Sequence, residues 1–186
     1  MVLARLFPRS PHKDAAHALY LEAVRQARQP SFYASCGVPD TLDGRFDLIV
    51  LHVFLVMRAL KRAGEAGERV RKAVLEVMFD DMDMNLREMG VGDLSVGKRV
   101  KAMSRAYHGR SRAYEEALAP DAAPDLLAAA LDRNLFGRDE PTPQQLGSLV
   151  GYVEAAAEAI ARQPSEALIA GRIAFPSAPA LAGVGD

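Results

Sequence analysis

The chain has 186 residues, of which 49% are hydrophobic and 25% charged, so a folded globular core is expected and overall disorder is excluded. Lys+Arg 23 against Asp+Glu 24 excludes a surface built throughout to coat nucleic acid, and no DNA partner is expected. A single cysteine, Cys36, rules out an internal disulfide framework or a multi-cysteine zinc site and reads as a buried, inert thiol in a reducing compartment.

At the N-terminus, the apolar stretch Met1–Pro8 is short and interrupted by Arg5, which does not suit a secretory signal, and residues 1–11 read as a flexible N-terminus. Residues 12–29 form an Ala-rich predicted helix with Leu19, Ala23 and Ala27 on one face, stopping before Pro30. A loop at Gly37–Gly44 follows. From Phe46 to Leu60 only Asp47, His52 and Arg58 are not apolar, so this helix is apolar around its circumference and belongs at the centre of the fold. Its most apolar run, Ile49–Met57, is too short to span a bilayer. A core histidine is the reading for His52.

Gly64 and Gly67 mark a turn before a third helix over 68–89. The loop at Gly90–Asp93 leads to a fourth helix over 95–118, with Ser95 or Asp93 as N-cap. A fifth is expected from Pro124 to Phe136, stopped by Gly137. The sixth starts at Thr142 as N-cap with Pro143 in the first helical position. Only a short helical turn follows Pro164, and residues 173–186 read as an extended or disordered tail. No strand pattern or repeat occurs. The expected fold is all-α: one domain over 12–172, a bundle of roughly six or seven helices around a buried central one.

Two patterns imitate ligand motifs. Gly92–Lys98 matches the start of a phosphate-binding loop, but Arg99 replaces the magnesium-binding Ser/Thr and a helix, not a strand, precedes it. Asp81, Asp83 and Asn85 copy three calcium-loop positions, but Leu86 stands where the turn needs glycine and Gly92 where it needs glutamate. No catalytic constellation emerges; no enzyme, metal site or cofactor is expected.

On the third helix, Asp81, Asn85 and Glu88 share the arc of Val70, Val74, Val77 and Met78. Buried carboxylates need partners. Arg110, on the apolar stripe of the fourth helix, and Arg45 are the candidates, giving an internal ion-pair network of Asp81, Glu88 and Arg110; a polar-lined cleft is the alternative. The other side of the fourth helix carries Lys98, Lys101, Arg105, His108 and Arg112 within an arc of about 80°. This basic surface suits phosphate, on a lipid headgroup or on RNA.

Dense blocks of the chain resemble the ubiquinol-cytochrome c chaperone family. They are Gln26–Tyr33, Gly37–Thr41, Gly44–Leu48 with Leu51-His52, Asp80–Asp83, Leu86–Val96 with Lys98-Arg99, and Gly109-Arg110 with Ala113-Tyr114. The resemblance spans about residues 20–135 and departs at His108, where the family commonly has an aromatic residue, and at Gly97, where it often has proline. It implies an all-helical, non-enzymatic assembly chaperone for the cytochrome bc1 complex, binding newly made cytochrome b or another bc1 subunit. Further expected partners are a small co-chaperone and, for the basic surface, the ribosome or an anionic membrane surface. The implied location is cytoplasmic and peripheral to the inner membrane (mitochondrial in eukaryotic relatives). The alternative is a helical carrier or sensor for a quinone, lipid or haem.

If the second and third helices pack antiparallel, Gly44 and Gly90 meet at one pole. Tyr33, Val38, Pro39, Val91 and Leu94 would frame an apolar patch rimmed by Asp40, Arg45 and Asp93, and client or partner binding is expected there.

Overall fold

The computed structural model describes residues 11–137 and 139–180, so the expectations for residues 1–10 and 181–186 lie outside the described residues. The described part is all-α. Its helices are α1 (Pro11–Ala27), α2 (Pro30–Ala34), α3 (Leu42–Leu60), α4 (Gly64–Glu88), α5 (Asp93–Ala117), α6 (Leu126–Leu131), α7 (Pro143–Ala161) and α8 (Ser165–Ile169).

The apolar circumference of α3 puts it at the centre. Every residue from Phe46 to Leu60 is buried except Arg58, which is half-buried. α1, α4, α5, α7 and α8 all pack on it, and α1 also packs along α4. Burying apolar side chains on all sides of one helix is the main stabilising contribution, about 1.5–3 kcal/mol for each large residue.

α3 starts at Leu42, earlier than its apolar run. Thr41 caps it, its Oγ1 accepting from Gly44 N–H at 3.1 Å. Gly44 is therefore not a loop residue. A β-carbon there would sit 2.1 Å from the Pro39 carbonyl oxygen, so glycine is what lets the preceding loop fold back over the helix. At α5 the N-cap is Gly92, with no side-chain cap; Asp93 is already helical and Ser95 lies inside. At α7 Thr142 and Gln145 form a reciprocal capping box, with Pro143 in the first turn. α6 is shorter than the predicted fifth helix. It begins at Leu126 and continues through a π-helical turn, Asp132–Phe136, ending at Gly137 with φ +64°.

Residues 173–180 form no helix or strand, yet they are docked. Ile173, Phe175 and Ala178 pack on the core, and the Pro176 carbonyl accepts from Gln26 Nε2 at 3.0 Å.

A buried polar chain ties this segment to the helices. His52 Nδ1 lies 2.7 Å from the Leu48 carbonyl and His52 Nε2 lies 2.9 Å from Tyr152 Oη. A carbonyl can only accept, so Nδ1 carries the hydrogen and Nε2 accepts from the Tyr152 hydroxyl. That hydroxyl accepts in turn from Gln26 Nε2 at 3.0 Å. Both imidazole nitrogens are thus satisfied inside the core. Burial pushes the His52 pKa down to about 4, so the ring is neutral.

A cleft between four elements

The antiparallel packing of α3 and α4 brings the start of one beside the end of the other. There the surface opens into a cleft of about 1060 Å³. One wall is the α1–α2 junction, with Arg28, Pro30 and Tyr33. The floor combines Phe46 and Ile49 of α3 with Met82 and Leu86 of α4, and the far wall is α5, with Arg99, Ala102 and Met103. Leu42 and Met89, both exposed, stand at its edge.

Its charges are unevenly engaged. Arg45 pairs with Asp40 at 2.6 Å, and both are exposed. Asp81 accepts from the Tyr20 hydroxyl at 2.7 Å. That bond and burial push the tyrosine pKa upward, burial being the larger effect. Arg28, Arg99 and Asp43 also line the cleft, and no ion pair holds them among the described residues.

Of the residues expected to bind a client, Tyr33, Asp40 and Arg45 line this cleft. Val38 does not. It is 2% exposed and part of the core, its N–H held by the Phe32 carbonyl, so it closes the fold from inside. Pro39 is half-buried and does not line the cleft. Val91 is half-buried, its N–H bonded to the Leu86 carbonyl where it finishes α4. Asp93 is bound by Arg87, which also holds Asp83 at 2.5 Å. Leu94 is 93% exposed, but at 100° per residue it points some 130° away from the α5 residues that line the cleft. Those α5 residues, and the floor of Phe46, Ile49, Met82 and Leu86, were missed by reasoning from loops alone. The methionines between 78 and 89 were the available signal: Met82 and Met89 line the cleft, whereas Met78 is core.

The expected network of Asp81, Glu88 and Arg110 is not formed. Arg110 Nη2 lies 2.8 Å from Asp47 Oδ1 on α3 instead. The buried row on α4 runs Val70, Val74, Met78, Met82, Leu86. An i, i+4 row drifts round a helix by about 40° per step. The drift leaves Asp81 half-buried at the edge and Asn85 and Glu88 exposed. Asp47 is the carboxylate that is buried. Desolvation raises its pKa to about 6, and the Arg110 guanidinium only partly offsets this.

Lys98, Lys101, Arg105 and Arg112 are all exposed on α5. Arg112 is engaged by Glu116 at 2.8 Å, while no ion pair involves Lys98, Lys101 or Arg105 among the described residues. The two imitated motifs are ordinary helix: Asp81, Asp83 and Asn85 lie within continuous α4, and Gly92–Lys98 is the N-cap and first turns of α5. No helix among the described residues is long and apolar enough to cross a membrane.

A sequence model described as Ubiquinol-cytochrome C chaperone matches residues 34–175, most of the helical body and every wall of the cleft except the α1–α2 junction before Ala34. The chain belongs to the ubiquinol-cytochrome C chaperone family. It is similar to ubiquinol-cytochrome-c reductase complex assembly factor 1 of Xenopus laevis, 29% identical over 141 residues, covering 76% of this chain and 70% of that one. The human relative of the same name is 30% identical over 141 residues, covering 76% of this chain and 46% of that protein. The mouse relative is matched over 47% of its length, so the chain spans about half of each mammalian relative. Among solved structures, the crystal structure of the Cbp3 homolog from Brucella abortus superposes with a TM-score of 0.79 at 36% identity, over 90% of this chain and 92% of that one. The family resemblance read from the sequence blocks is thus shown, and the helical fold is shared with a solved relative.

Proposed function

We propose that the chain is a non-enzymatic assembly chaperone for the cytochrome bc1 complex, and that its cleft holds an apolar, membrane-destined segment of cytochrome b or another bc1 subunit. One observation carries the reading: an open cleft with an aromatic, aliphatic and methionine floor, in a family whose vertebrate relatives are named as assembly factors of this complex. Methionine and unbranched side chains adapt to differing apolar partners, which suits a binder that must also release. The protein works at the cytoplasmic side of the inner membrane, as a peripheral component. A small co-chaperone would share the same pole.

A photo-crosslinker at Ala102 or Met89, both lining the cleft, captures the bc1 subunit in cells producing the complex, whereas one at exposed Glu158 on α7 does not. Crosslinks from Glu158 alone would move the client to the α7 surface. A quinone, lipid or haem extracted in stoichiometric amount from the purified protein would replace the client reading with that of a small-molecule carrier.

A further inference from the structure

We propose that the outer face of α5 is a docking surface for an anionic lipid bilayer, with Leu94 as its inserted residue. This does not depend on what the cleft holds. Leu94 is 93% exposed, the most exposed large hydrophobic side chain among the described residues. At 100° per residue it falls within the same arc as Lys98, Lys101 and Arg105, at i, i+4, i+7 and i+11. From Leu94 to Arg105 the face runs about 16 Å, and among the described residues none of its three cations is held in an ion pair. Of the nearby acids, Asp83 and Asp93 are both engaged by Arg87, and no ion pair involves Glu88 among the described residues.

An apolar side chain protruding at the head of a row of free cations fits the interface of a bilayer. Acyl chains take the leucine, and anionic headgroups take the lysines and arginine. RNA would use the charges alone. A surface for single-stranded RNA also offers aromatic rings on which bases stack, and the exposed large side chains here include none. The exposed imidazole on this face, His108, lies against the Tyr107 ring.

Sedimentation of the full chain with vesicles tests the proposal. Phosphatidylcholine vesicles containing about one third phosphatidylglycerol should bind it, and pure phosphatidylcholine should not. Lys101→Glu with Arg105→Glu should weaken anionic-vesicle binding more than about tenfold. Leu94→Ser should weaken it about tenfold while leaving the salt dependence unchanged. Both variants should melt with the wild type, because exposed side chains contribute little to stability. Absence of binding to anionic vesicles, or variants that bind as the wild type does, would overturn the proposal. So would tighter binding to an RNA stem-loop that the charge reversals abolish and Leu94→Ser leaves untouched, which would make this face an RNA surface.

Discussion

Two buried groups on α3 titrate in opposite senses over nearly the same pH interval, and their near-cancellation can be tested by removing one of them. His52 has a pKa of about 4 in the folded chain against 6.5 when unfolded. Between those values the unfolded chain holds more protons, so stability present above pH 6.5 is lost as the pH falls through 4. The gap from 6.5 to about 4 corresponds to about 3 kcal/mol. Asp47 behaves oppositely. Its carboxyl has a folded pKa of about 6 against 3.8 unfolded, so the folded chain holds more protons there, and stability rises as the pH falls from 6 to 3.8. That gap is again about 3 kcal/mol. Asp40, whose pKa is lowered by its hydrogen bond to Arg45, acts only below 3.8 and leaves this interval unaffected.

Asp47→Asn therefore unmasks the histidine. Urea unfolding, followed by circular dichroism from about pH 7 to about pH 4.5, should show the variant losing about 2 kcal/mol more than wild type over that range. His52→Gln should give the reverse, a chain that gains stability relative to wild type on acidification. Nitrogen NMR should find the His52 ring neutral at pH 5, with the hydrogen on Nδ1. An Asp47→Asn profile parallel to that of wild type, or a His52 resonance titrating near its ordinary value, would refute the reasoning.

Tyr152→Phe removes the hydroxyl that accepts from Gln26 and donates to His52, leaving a buried acceptor unpaired. It should cost about 1–3 kcal/mol and lower Tm by about 2–4 °C per kcal/mol, whereas an unchanged Tm would mean that the polar chain adds nothing. Gly44→Ala drives a β-carbon to within 2.1 Å of the Pro39 carbonyl oxygen, so thermal unfolding should show a loss of at least about 1–3 kcal/mol. Equal melting of Gly44→Ala and wild type would show that the 37–40 loop yields freely.

Helix order and the central place of α3 were legible in the sequence because they follow from one-dimensional signals. An apolar run around a full circumference has few places to go, and Thr142-Pro143 fixes a helix start through local hydrogen bonds. Partnerships between helices were not legible. A helical wheel says that Asp81 lies near an apolar face, but not that Tyr20, 61 residues earlier, faces it. A half-buried carboxylate can be satisfied by a hydroxyl and does not require a guanidinium, so counting arginines pointed to the wrong donor. Asp47 looked like an interruption of an apolar run, yet its burial is what draws Arg110 to α3. The same limit applies to the cleft. The pole could be placed from Gly44 and Gly90, while the separation of its lining from Leu94 depends on how α5 is rotated.

That rotation gives α5 two distinct faces. Arg99, Ala102 and Met103 look into the cleft, and Leu94, Lys98, Lys101 and Arg105 look outward. A helix with its side chains is about 10–12 Å across. If the outer face rests on a bilayer, the cleft lies within about one helix diameter of the acyl region, with exposed Met89 and Leu42 at its edge. An apolar segment passing between membrane and cleft then crosses little open water. The charges favour such exchange over tight capture: Asp40 and Arg45 neutralise each other, Asp81 is engaged by Tyr20, and Arg28 and Arg99, in no ion pair among the described residues, can meet a passing carboxylate or headgroup. Specificity for one apolar segment over another must then come from the fit against Phe46, Ile49, Met82 and Leu86, where a single methylene changes binding by only about 1 kcal/mol. A cleft of this kind discriminates weakly among apolar helices. If the outer face of α5 docks on the membrane as proposed, selectivity for a bc1 subunit would rest on where the protein is held, and that face would be part of its specificity.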